Sequence, residues 1–124
     1  MVPVYLWANA AIYALLGAAC ALNPDRLARA VGYFTLDNTG RSEFLAIYAG
    51  LDFGLAAFYA AAAWKPDLRA AAIVFSLCLY GGLAAFRLPS LILYRPVRPL
   101  SFVLAATEVA LLVGAAWLTW KQHR

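Results

Sequence analysis

Residues 41–54 read RSEFLAIYAGLDFG, and they open an apolar run that continues to Trp64 with one acid, Asp52, inside it. About 20 apolar residues are long enough to cross ~30 Å of hydrocarbon as a helix. Because backbone amides in lipid must be paired within the segment, a helix is the expected structure. The stretch therefore predicts a membrane-spanning helix that carries a carboxyl group.

Similar runs lie on both sides of this stretch. The predicted spans are residues 3–22, 42–64, 67–88 and 100–120. Of the 124 residues, 65% are hydrophobic and 13% are charged, and the charged share is about half that of a soluble domain. The connections are too short for a second folded unit. The chain, residues 1–124, is therefore predicted to be one all-α integral membrane domain, a bundle of four transmembrane helices in the lipid bilayer.

The first connection has its own helix-start pattern. Asn23 is a capping residue, Pro24 suits the first helical position, and Asp25 is an acid in the first turn. Arg26 and Arg29 alternate with apolar residues after it, which is typical of a helix lying in the plane of the membrane surface. We expect an interfacial helix over residues 24–34, ended by the turn-forming residues 37–40.

Every predicted span also carries polar side chains. A charge at mid-membrane costs at least ~2.5 kcal/mol, so such groups should face one another inside the bundle. Helical spacing and depth place the acids and an arginine toward one mouth of the bundle, with Asp52 deepest. The predicted polar core or ligand site consists of Asn9, Tyr13, Glu43, Tyr48, Asp52, Ser76, Tyr80, Arg87 and Glu108.

Several arrangements of these groups are open. Arg87 bridges Glu43 and Glu108 and so ties three helices together, or Asp52 stays uncharged and hydrogen-bonded to a tyrosine (Tyr13, Tyr48 or Tyr80). Alternatively, the polar stripes line a cavity for a ligand, or they contact another subunit.

The opposite face of the second span is made of small residues. Gly50, Gly54, Ala57 and Ala61 follow the small-xxx-small spacing that lets another helix approach closely. This face is the predicted packing surface for a homo-oligomer or a larger membrane complex.

The chain lacks the sequence motifs of the common catalytic, metal-binding and phosphate-binding sites. It has no metal-ligand spacing, no Cys–His or Ser–His–Asp set and no phosphate-binding loop. We predict no metal and no required cofactor, although a lipid or quinone-like molecule would fit such a bundle. The basic residues are scattered, which excludes a nucleic-acid partner. Acid–base work by Asp52, Glu108 or Glu43 is the strongest catalysis available.

The stretch RSEFLAIYAGLDFGL, with FRL at 86–88, resembles an uncharacterised bacterial family of four-helix membrane proteins. That family is known as a domain of unknown function and is distantly similar to the DoxX/DoxD-like group. The matching residues are Arg26, Arg41, Glu43, Tyr48, Gly50, Arg87 and Glu108. Ala49 and Phe86 stand where the pattern has glycine. DoxD-like relatives include subunits of quinone-linked oxidoreductases, so the resemblance implies an accessory subunit.

Our leading hypothesis is a non-catalytic membrane protein, either an accessory subunit or a holder of a lipophilic ligand in the bundle centre. The alternatives are a membrane enzyme that protonates an isoprenoid or sterol-like lipid, and a small proton-coupled transporter. We expect it in the bacterial inner membrane. Six basic residues on one side against four on the other favour termini outside the cytoplasm. The count becomes four against four if Arg41 and Arg87 belong to a buried site.

Overall fold

The computed structural model describes residues 1–34 and 36–124, and this part of the chain is helical without strands. Its helices are α1 (Val2–Leu22), α2 (Pro24–Ala30), α3 (Asn38–Trp64), α4 (Pro66–Leu93) and α5 (Pro99–Gln122). All except α2 are long and apolar enough to span a membrane. The prediction of an all-α chain with four such helices is confirmed.

Proline and a side-chain cap explain where the helices begin. Pro24, Pro66 and Pro99 each occupy the first position of a helix, where the missing N–H costs no hydrogen bond. For α3, the Asp37 carboxylate accepts a 2.7 Å hydrogen bond from the Gly40 backbone N–H. The segment predicted as a turn before residue 42 is therefore the cap and first turn of α3, because Asp37 supplies the capping oxygen.

Helix α2 ends earlier than predicted. Gly32 has a φ of +104°, a conformation that glycine adopts without steric cost. The Tyr33 N–H then bonds back to the Ala28 carbonyl at 2.9 Å, which is the usual way a glycine closes a helix end. The predicted helix over residues 24–34 therefore stops at Ala30, and the chain turns back toward α3.

Helix α4 continues past the proline that was expected to belong to the next connection. Pro89 lies inside α4, which ends only at Leu93. The Ser90 hydroxyl donates a 2.7 Å hydrogen bond to the Arg87 carbonyl in this turn. Proline is tolerated in apolar helices where side chains of this kind bond to the backbone. Pro89, which directly follows the predicted span of residues 67–88, therefore lies within the helix and not in the connection.

A π-helical segment, Leu45–Gly50, interrupts the α-helical hydrogen bonding of α3. The Leu51 N–H bonds to the Ala46 carbonyl, five residues earlier. Segments of this kind are short and are common near functional positions. No pattern in the sequence predicted it.

The bundle is made of two closely packed helix pairs. Helix α1 packs along α3, and α4 packs along α5, whereas the contact between the two pairs is less extensive. Small buried residues on α3, namely Ala49, Ala56 and Ala63, allow the first pair to approach closely. A methyl group built at Gly17 of α1 would lie 3.3 Å from the Asp52 Cβ. The backbones of α1 and α3 therefore come closest where Asp52 lies.

Candidate functional site

The centre of the bundle holds a buried amide bonded to a tyrosine. The Tyr80 hydroxyl donates to Asn9 Oδ1, and Asn9 Nδ2 donates to the Tyr5 carbonyl at 2.8 Å. Asn9 is 0% exposed and Tyr80 is 1% exposed. The Asn9 oxygen and one of its N–H donors are therefore satisfied within the bundle, and α1 is bonded to α4.

A second hydroxyl pair lies beside the first. The Tyr59 hydroxyl is 2.8 Å from Ser76 Oγ, which donates to the Ala72 carbonyl at 2.8 Å. Because the Ser76 proton is used there, Tyr59 is the donor in the pair. The ring of Tyr13 stacks on that of Tyr59 with centroids 5.9 Å apart and planes 2° from parallel. These side chains bond to and pack against one another rather than lining an open chamber.

Two further tyrosines support this network and were not among the predicted site residues. Tyr59 is fully buried, and Tyr5 donates a 2.8 Å hydrogen bond to the Leu111 carbonyl of α5. Both follow simple spacing in the sequence. Tyr5 precedes Asn9 by one helical turn, and Tyr59 follows Asp52 by two turns.

An ion pair joins α4 to α5 nearer the other end of the bundle. Arg87 Nε and Nη2 donate to the two oxygens of Glu108 at 2.6 and 2.8 Å. The side chains are 27% and 12% exposed. This two-bond geometry is the strongest form of a carboxylate–guanidinium contact. Glu43, which shares Arg87 in one of the predicted arrangements, is exposed instead and forms no ion pair with a described residue.

Asp52 lies on the α1-facing side of α3 and is partly buried. Among the described residues it has no hydrogen bond or ion pair, so the predicted bond to a tyrosine is absent. Tyr48, one turn earlier, bonds instead to the Tyr33 hydroxyl at 3.1 Å and stacks on Phe44 at 4.5 Å. Asp52 is therefore a partly buried acid without a partner inside this part of the chain.

The nine predicted polar-core residues thus separate into groups. Asn9, Tyr13, Ser76 and Tyr80 meet in the central network, and Arg87 and Glu108 form the ion pair. Tyr48, Asp52 and Glu43 join neither group.

The predicted packing face of α3 points outward. Each of its members is exposed: Gly50, Gly54, Ala57 and Ala61. A methyl group built at Gly54 would meet nothing within 4 Å. In the described residues no other helix covers this face, and α1 packs against the opposite one.

A cavity of about 420 Å³ opens beside α2 and the beginning of α3. Its lining residues come from α2, from the segments on either side of α2 and from the beginning of α3: Asn23, Asp25, Ala28, Arg29, Tyr33, Phe34, Leu36 and Arg41. A second cavity, of about 380 Å³, lies at the opposite end between the start of α1 and the end of α5. Neither cavity is lined by Asp52 or Glu108.

Three contacts hold the walls of the first cavity. Ala28, 2% exposed, packs α2 into a small cluster with Cys20 and Phe44. Tyr33 sets its ring edge against Phe44, at 6.4 Å and 86°. Arg41 Nε and Nη2 donate to the two Asp25 oxygens at 3.2 Å, which ties α3 to the start of α2. These contacts thus hold α2 and the beginning of α3 together beside the cavity.

The mouth of this cavity carries an unbalanced positive charge. Arg41 is paired with Asp25, but Arg29 has no side-chain hydrogen bond or ion pair with any described residue. Two arginines and one aspartate leave a net charge of +1 on the lining. Phe34, 92% exposed, adds an apolar rim. The sequence predicted the basic surface helix but not the cavity, which depends on the turn at Gly32.

The described residues provide no group of three His, Cys, Asp or Glu side chains placed to hold a metal ion. The first cavity offers the guanidinium groups of Arg29 and Arg41, the Tyr33 hydroxyl and the Asn23 amide, together with one carboxylate, that of Asp25.

The fold and the site together define a small all-helical protein with four helices apolar enough to span a membrane. The chain belongs to the family described as Domain of unknown function (DUF4345), whose profile matches residues 1–119. No curated protein and no solved structure was found to match the chain.

Proposed function

We propose that this is a non-catalytic integral membrane protein that binds an amphiphilic lipid at the membrane surface, in the cavity between α2 and α3. The observation that carries the proposal is the cavity itself, with a cationic mouth and an exposed aromatic rim.

The position of the cavity favours a lipid. Its lining residues lie between the end of α1 at Leu22 and the apolar part of α3, at the level where a spanning helix meets headgroups. Tyr33 and Phe34 are of the type found at that level. A volume of about 420 Å³ falls within the ~300–1,000 Å³ range of small-molecule sites. An amphiphile would place its polar end among the arginines and its apolar end along Phe34.

The structure favours this surface site over the predicted site in the bundle centre. Asn9, Ser76 and Tyr80 use their polar atoms on one another and on the backbone. A ligand there would have to break buried hydrogen bonds, each costing about 1–3 kcal/mol when a group is left unsatisfied.

Photocrosslinking tests the proposal. The full chain carries p-benzoylphenylalanine at Phe34, and the matched control carries it at Phe86, an equally large residue that is 83% exposed on α4. Both positions should label lipid in membranes. When the protein is first exchanged into detergent and only then irradiated, position 34 alone should still label lipid, because a bound lipid dissociates more slowly than bulk lipid. Equal loss of labelling at both positions would overturn the proposal.

A second candidate function is that of an accessory subunit, as the DoxD-like resemblance implies. It is favoured by the exposed face of Gly50, Gly54, Ala57 and Ala61, where a methyl group at Gly54 would meet nothing within 4 Å. Photocrosslinking from position 54, with Gly82 on α4 as the control, should yield a protein adduct only at 54. Recovery of monomer alone would count against this role.

The enzyme and transporter hypotheses now depend on Asp52. Glu108 is bonded to Arg87 through both oxygens, and Glu43 is exposed. A proton-coupled exporter should release protons when a lipophilic cation such as tetraphenylphosphonium is added, and Asp52→Asn should abolish that release. No release from the unmodified protein would exclude transport of this kind.

A further inference from the structure

We infer that the cavity recognises the anionic phosphate ester of a lipid headgroup, with Arg29 as its principal ligand and Arg41 as a second donor. The inference rests on the proposed function and names the chemistry of its ligand.

The hydrogen-bond donors left free at the cavity mouth favour an anion as the ligand. A guanidinium group has five N–H donors. Arg41 uses Nε and one N–H of Nη2 on Asp25, so three of its donors are left. Arg29 bonds to no described residue, so none of its five donors is used within this part of the chain. The planar guanidinium group of arginine can donate to two oxygens of a tetrahedral phosphate at once, which makes arginine well suited to phosphate recognition.

The Asp25–Arg41 pair also favours an anion over a zwitterion. The side chains of Arg41 and Asp25 are 49% and 42% exposed, and the atoms are 3.2 Å apart. Exposed pairs of this kind are weak, so Asp25 orients Arg41 without cancelling Arg29. The net charge of +1 on the lining would repel the ammonium group of a zwitterionic headgroup.

Arg26 provides a matched control for the positive charge of Arg29. Arg26 and Arg29 lie on the same seven-residue helix and are both exposed, but only Arg29 lines the cavity. Removing either one lowers the net charge of the chain by the same amount. A general attraction to an anionic membrane surface would weaken equally in both variants, whereas a site would respond only to Arg29.

Lipid titration monitored by native mass spectrometry tests the inference. Detergent-solubilised full-length protein is titrated separately with dioleoylphosphatidylglycerol and dioleoylphosphatidylcholine, using the unmodified chain, Arg29→Gln and Arg26→Gln. The unmodified chain should prefer the anionic lipid by at least about tenfold, as expected for charge-assisted hydrogen bonds. Arg29→Gln should lose most of that preference, and Arg26→Gln should keep it. Thermal unfolding of both variants checks that each is folded.

Equal losses in the two variants would overturn the inference, because the preference would then reflect net charge alone. No preference in the unmodified chain would also overturn it, while lipid labelling that persists at position 34 in detergent would leave the proposed function standing. Displacement of the bound lipid by sn-glycerol 3-phosphate at a similar concentration would contradict a lipid as the source of the phosphate. That result would reject the proposed function but not phosphate recognition by Arg29.

Discussion

Replacing Arg87 by methionine should destabilise the bundle more than replacing its partner, Glu108, by glutamine. Both changes remove a contact in which two N–H groups donate to two carboxylate oxygens at 2.6 and 2.8 Å. They differ in the charge that is left behind. The glutamate side chain is short and 12% exposed, whereas the arginine is 27% exposed.

The difference in exposure determines how much unfolding free energy each substitution should remove. Removing one partner of a buried ion pair costs about 3–5 kcal/mol, and a lone charge at mid-membrane costs at least ~2.5 kcal/mol. For Arg87→Met, which strands the carboxylate between helices, we expect about 3 kcal/mol. Arg87 lies six residues before the end of α4, or ~9 Å, so its long side chain can reach the membrane surface. Glu108→Gln should therefore cost about 1.5 kcal/mol.

The double variant completes the test. With both charges removed, no uncompensated ion is left, and the loss should stay near 1.5 kcal/mol rather than reach the sum of the single changes, about 4.5 kcal/mol. The assay is reversible unfolding in mixed micelles with increasing sodium dodecyl sulfate, followed by circular dichroism. Additive losses to within ~0.5 kcal/mol would refute a coupled pair between α4 and α5.

Three further predictions concern the rest of the bundle. Gly114→Ala should cost about 1–2 kcal/mol by overpacking, because the new methyl would lie 3.0 Å from a tyrosine ring of α1; Gly82→Ala, with nothing within 4 Å, should not, and equal effects in the same unfolding assay would contradict the packing of α1 on α5. Tyr80→Phe should cost about 1 kcal/mol by removing the donor to Asn9, and a neutral result would mean that the hydroxyl is not bonded. Asp52→Asn should not lower stability, since it breaks no bond within the described residues and removes an acid from the membrane, and a loss above ~0.5 kcal/mol would reveal a partner for this carboxyl.

The sequence predicted the number of long helices and most of their beginnings. Each long helix contains an apolar run long enough to span the membrane and begins with a proline or a capping side chain. Both features are determined locally by the sequence. The structure differs at two helix ends, where a side chain bonds to the backbone three residues away. Asp37 starts α3 early by capping it, and Pro89 stays within α4, where Ser90 bonds to the backbone beside it.

The candidate site was less predictable than the fold. Reasoning from depth placed Arg87 and Glu108 toward the same mouth of the bundle, and the structure pairs them. The partner of Tyr48 was not foreseeable, because Tyr33 reaches it only after the turn at Gly32. The cavity was likewise hidden, since its closure needs a bond between Asp25 and a residue sixteen positions later.

A structure of the full chain determined in nanodiscs of phosphatidylglycerol would test the account most directly. We predict density for a lipid phosphate within hydrogen-bonding distance of the Arg29 guanidinium in the cavity beside α2, with Tyr80 still bonded to Asn9. An empty cavity, together with ligand density between Asp52, Tyr80 and Glu108, would contradict the account and return the binding site to the centre of the bundle.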